Sequence, residues 1–94
     1  MGIRRTAGEY GQAISDEALA VSSTAVALTV PATAVAAMVT NGANAVRVRW
    51  GTPTASVGHH LNPYSVLDLY SDDLSDVKFI RVSSDSTIHV TYFG

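Results

Sequence analysis

The sequence predicts an all-β fold: a small β-sandwich, jelly-roll-like, of six to eight short antiparallel strands with an extended N-terminal arm. Three observations predict it. From Ser23 onward, short runs rich in Val, Thr and Ile recur between breaks bearing Gly, Pro, Asn and Ser, the spacing of a sandwich or small barrel. Several of these runs alternate with period two, as half-buried strands do. No stretch carries the 3.6-residue apolar periodicity of an amphipathic helix. The 94 residues fit one domain, read as an arm over 1–22 followed by the sandwich over 23–94.

Residues 1–23 hold five of the fourteen acidic and basic residues and no strand-like alternation. They read as an extended arm; the alternative is one helical turn over Asp16-Glu17-Ala18-Leu19-Ala20, capped by Ser15. Thr24 to Val30 alternates and stops at Pro31, which cannot donate to a ladder. Val35 to Thr40 is a second apolar run. Asn41-Gly42-Ala43-Asn44 reads as a hairpin turn, because Asn-Gly readily adopts positive φ. Ala45 to Trp50 is then the returning strand, with Val46, Val48 and Trp50 on one face and Arg47 and Arg49 on the other. Gly51 to Pro63 reads as a long irregular loop, and Val66 to Tyr70 as a short strand. Ser71 to Asp76 is a turn, or one helical turn capped by Ser71. Val77 to Ser83 is a strand, Ser84-Asp85-Ser86 a tight connection, and Thr87 to Phe93 the closing strand, with Ile88, Val90 and Tyr92 on one face.

The chain is 47% hydrophobic and 15% charged, against an average charged fraction of about 25%. A small, apolar, weakly charged domain gains stability by covering surface with partners, and a homo-oligomer, dimer or trimer, is expected. There is no cysteine, hence no disulfide framework and no thiol nucleophile. A net charge of −2 argues against a general nucleic-acid binder. Ala18 to Ala45 is free of charge, yet Pro31, Asn41, Gly42 and Asn44 interrupt it and acidic residues precede it, so a membrane span or signal peptide is not expected. Met1 to Thr6 fits the N-myristoylation pattern, a match short enough to arise by chance.

Chemistry-bearing residues are sparse. His59-His60 would serve one metal only on a bent loop, since neighbours in a strand face opposite ways; a pair packing at the rim is the plainer reading. Asp72, Asp73 and Asp76 cluster without the EF-hand spacing and read as a solvated turn. No nucleophile elbow, paired-carboxylate pattern or phosphate loop is present, so neither catalysis nor a cofactor is expected. Arg47 and Arg49 share one strand face near Trp50. They read either as the solvent face of a half-buried strand or as a grip on carboxylates of an acidic partner. The expected interface residues are Ile3, Arg4, Arg5 and Tyr10 of the arm together with Arg47, Arg49 and Trp50.

The stretch Val46 to Leu61, with its loop Gly51-Thr52-Pro53-Thr54-Ala55-Ser56-Val57-Gly58-His59-His60-Leu61, resembles a segment of small tailed-bacteriophage virion proteins. So do Phe79-Ile80-Arg81-Val82 and the closing Ile88-His89-Val90-Thr91-Tyr92-Phe93. The resemblance covers residues 23–94; Trp50 departs from it, standing where that segment tends to carry a polar residue. It implies a jelly-roll-like sandwich that decorates or cements a capsid, with the major capsid protein as partner. It also implies dimers or trimers on the capsid surface and extended termini that clasp neighbours. On that footing, deleting residues 1–22 should leave the domain folded and abolish particle binding. The alternatives are a neck, adaptor or tail component of the virion, or a carbohydrate-binding sandwich using Trp50, Tyr64 or Tyr70 as stacking platforms.

Overall fold

The computed structural model describes residues 11–94. Ile3, Arg4, Arg5 and Tyr10 lie outside the described residues. These residues form eight strands: β1 (Ala13–Val21), β2 (Val26–Ala27), β3 (Ala36–Thr40), β4 (Val46–Trp50), β5 (His59–Leu61), β6 (Val66–Tyr70), β7 (Val77–Arg81) and β8 (Ser86–Phe93). A short 3-10 helix, Ser71–Asp73, joins β6 to β7. The strands make two four-stranded sheets, ordered β1-β8-β3-β6 and β2-β7-β4-β5.

The pairings are nested. β1 pairs with β8, β2 with β7, β3 with β6 and β4 with β5, all antiparallel. Two further ladders, β3 with β8 and β4 with β7, complete the sheets. One long hairpin wound around a core in this way is a jelly roll. The core lies between the sheets, and period-two alternation supplies it. Ile88, Val90 and Tyr92 of β8, Ala37 and Val39 of β3, Val46 and Val48 of β4, and Val77 and Phe79 of β7 all point inward and are buried. Among described residues, the fully buried set is almost wholly aliphatic or aromatic; Asn41 is its polar member, at 1% exposure.

Five expectations are corrected. Residues 13–21, assigned to the arm and in the alternative to a helical turn, form the longest strand. Val21 is buried in the core and Leu19 packs against it. The sequence hides this strand because Glu17 interrupts its apolar side. Glu17 nevertheless faces inward, where its carboxylate accepts from the Tyr92 hydroxyl and from the Thr29 backbone N–H. That capture of Thr29 also shortens the strand expected over Thr24 to Val30, of which Val26–Ala27 alone joins β7.

The hairpin expected over 35–50 does not form. β3 and β4 belong to different sheets, and the segment between them is a corner rather than a tight turn. Neither Asn41 nor Gly42 has positive φ. Lastly, the loop expected from Gly51 to Pro63 contains the edge strand β5, and Ser71 begins the 3-10 turn rather than capping it, with Tyr70 at the cap position.

Candidate functional site

Alternation fixes what each sheet turns outward. Opposite the core residues of β4 and β7 stand Arg47, Arg49, Lys78 and Ile80; Ala27 of β2 lies beside Lys78, and His60 of β5 beside Arg47. Three of the four Lys and Arg residues among the described positions therefore share the outer face of the β2-β7-β4-β5 sheet. The fourth, Arg81, is paired with Asp85 at 2.6 Å. The outer face of the other sheet is different in kind. Its cross-strand rows read Ala18-His89-Thr40-Val66 and Asp16-Thr91-Met38-Asp68. Among the described residues it carries no Lys or Arg, and Met38 and Val66 stand exposed on it at 37% and 55%. Asp16 is held by Thr91, whose hydroxyl donates at 2.6 Å.

The basic face is partly built from within. Arg47 donates from Nε to the Ala55 carbonyl at 2.9 Å and from Nη1 to the Gly58 carbonyl at 3.1 Å. Arg49 donates from Nη1 to the Thr52 carbonyl at 3.2 Å. The two arginines thus hold the β4–β5 loop against their own strand, a role the sequence reading did not assign them. At the same end of the sandwich, Trp50 is 46% exposed. Its Nε1 donates to Asp73 Oδ1 at 2.9 Å, and its ring meets the edge of His59 at 5.9 Å, nearly perpendicular. Trp50, Gly51, Ser75, Asp76 and Lys78 line a shallow open groove there. Trp50 shares its parity with Val46 and Val48 but lies past the core, at the rim.

The remaining motifs separate. His59 sits opposite Val48 and beside Trp50, whereas His60 sits opposite Arg47 on the outer face. Asp73 is engaged by Trp50 and by the Tyr70 backbone N–H. Among the described residues, no three His, Cys, Asp or Glu side chains converge as metal ligands would. Trp50 and Tyr70 end strands at one pole of the sandwich. Tyr64 lies at the other, where its N–H donates to the Gly42 carbonyl, so the three aromatics make no common platform. Tyr64 adopts a left-handed φ of 61° and is 71% exposed.

Two polar clusters went unread in the sequence. At the Tyr64 pole, the Asn41 amide nitrogen donates to the carbonyls of Asn44, Leu61 and Asn62 at 2.9, 3.2 and 3.0 Å. Its oxygen accepts from the Gly42 N–H and the Ser86 hydroxyl at 2.8 and 3.0 Å. Asn41 therefore knots three loops. Inside the sandwich, Tyr92 is pushed well above the ordinary tyrosine range, chiefly by burial and then by its hydrogen bond to Glu17 and that carboxylate's charge. Both clusters link residues distant in sequence, and no local signal marks them. Among the described residues, no helix is long and apolar enough to cross a membrane. No protein-family model, no curated protein and no solved structure matches this chain.

Proposed function

We propose that this protein is a structural virion component that binds the outside of a tailed-phage capsid and stabilises it by bridging major capsid subunits. The observation that carries the reading is the pair of broad outer sheet faces on so small a jelly roll. One face, among the described residues, carries no Lys or Arg, with Met38 and Val66 exposed on it beside Asp16, Asp68 and His89; the other is basic. Exposed faces of this kind suit protein contact better than small-molecule chemistry. The virion-like segments support it too: they fall on β4, the β4–β5 loop, β5, β7 and β8. Weak contacts multiplied over linked copies would give tight attachment through effective concentration.

The test is co-sedimentation of the purified protein with empty capsids, with bound copies counted at saturation. Decoration requires a count comparable to the number of capsid subunits. A count matching a single ring would assign the protein to the neck or tail, and no binding would refute a virion role on the capsid.

A further inference from the structure

We propose that the outer face of the β2-β7-β4-β5 sheet docks an acidic protein surface, gripping its carboxylates through Arg49 and Lys78 with Arg47 alongside. The inference rests on the reading above for where the partner is found, and on the face's own geometry for what the partner must be. Arg49 stands directly opposite Lys78 in the β4–β7 ladder. Directly opposed residues bring their Cβ atoms to about 4.5–5.5 Å, and like charges there are destabilising. The face does not relieve this. The neighbouring outward positions are Ala27, Ile80, Arg47 and His60, with Asp76 only at the rim. Lys78 forms no ion pair among the described residues. An arrangement that costs the isolated domain stability becomes favourable once carboxylates arrive from outside.

The cations are also prepared for the contact. Arg49 spends one nitrogen on the Thr52 carbonyl, which steadies the guanidinium while its other donors remain open. A steadied arginine loses less freedom on forming a bidentate carboxylate pair. Trp50 closes the same strand, half-exposed and oriented by Asp73 and His59, as an anchor at the patch margin. Arginine and tryptophan are the residues that most often dominate protein interfaces. A nucleic acid suits the face less well. The basic area spans three side chains on a chain of net charge −2, which repels a long polyanion at a distance.

Trp50 is the chain's one tryptophan, so its emission reports on the face. The full chain is titrated with poly-L-glutamate and, in parallel, with duplex DNA. The expected result is a saturable change with poly-L-glutamate that weakens about tenfold as salt shortens the screening length. The Arg49→Glu/Lys78→Glu double variant should lose it, and the neutral Arg49→Gln/Lys78→Gln variant guards against a folding artefact. No response in the wild type, an unchanged response in both variants, or tighter binding to DNA would each overturn the proposal. So would wild-type self-association abolished by the same substitutions, which would place a second copy on the face. With capsids, loss of binding in both variants supports the inference, whereas equal binding overturns it and leaves the decoration reading standing. A wild type that responds to poly-L-glutamate yet ignores capsids supports the face and refutes the decoration reading.

Discussion

The Asn41 side chain holds three loops with one amide, and its replacement shows what a single buried polar group contributes. Asn41→Ala leaves the Leu61 and Asn62 carbonyls and the Ser86 hydroxyl without this partner. The expected cost is about 2–4 kcal/mol, read as a lower urea midpoint. Gly42 beside it has no room for a side chain: an added Cβ would lie 2.5 Å from the Thr87 carbonyl oxygen. Gly42→Ala should therefore lower stability by about 1–3 kcal/mol in the same assay. Tyr92 offers a pH test. Its folded pKa is raised above the unfolded value, so the neutral phenol's contribution is complete below about pH 10 and is lost as pH rises beyond it. Unfolding free energy should fall above that point by up to about 1.4 kcal/mol per pH unit. Tyr92→Phe should show a shallower fall, at the expense of about 1–2 kcal/mol at neutral pH for the lost bond to Glu17. None of this was readable beforehand. Asn-Gly is locally a turn whatever it later touches, and Glu17 looks like a surface residue until β8 is placed beside it.

At the level of elements, what could be read followed period-two alternation. Thr87 to Phe93 revealed its inward face because Ile88, Val90 and Tyr92 alternate without interruption, and Ala45 to Trp50 did so likewise. β1 failed the same test through one inward carboxylate. The consequence is a reversed expectation for truncation. Deleting residues 1–22 removes the β8 partner strand and the buried Val21, whose side chain alone is worth about 1.5–3 kcal/mol. The truncated chain should lose its dispersed amide spectrum, so lost particle binding by that construction would reflect unfolding rather than a missing clasp. Arg47→Ala makes the opposite prediction. The two hydrogen bonds to Ala55 and Gly58 disappear while the core stays intact. Cleavage within 51–58 should quicken under limited proteolysis, with the unfolding midpoint changing little by comparison.

At the scale of the whole molecule, the all-β sandwich was legible in the strand spacing, but the strand order was not. Order depends on which strands meet across long stretches of chain, and the one local hairpin signal pointed to a pair that lies in opposite sheets. The two-faced character was half legible. Arg47 and Arg49 marked one face, but Lys78 joins it only through the β4–β7 register, and the face bearing Met38 and Val66 requires four separate strands to be aligned. If the face bearing Met38 and Val66 mediates self-association, light scattering should give a dimer or trimer mass, and Met38→Glu/Val66→Glu should return it to the monomer. A wild-type monomer at high concentration would refute that use of the face.

The nested pairing also orders events in time. Among the described strands, β1 lies at a sheet edge and pairs with β8 alone, so the first strand described waits for the last. The β4–β5 pair, by contrast, closes a short loop at the centre of the winding. A ribosome would release Val21 and Leu19 long before Ile88 exists to cover them. Folding must then proceed from the middle outward, slowly, since contacts far apart in sequence are reached late. Until Phe93 emerges, the nascent chain presents an unpaired edge strand to its surroundings.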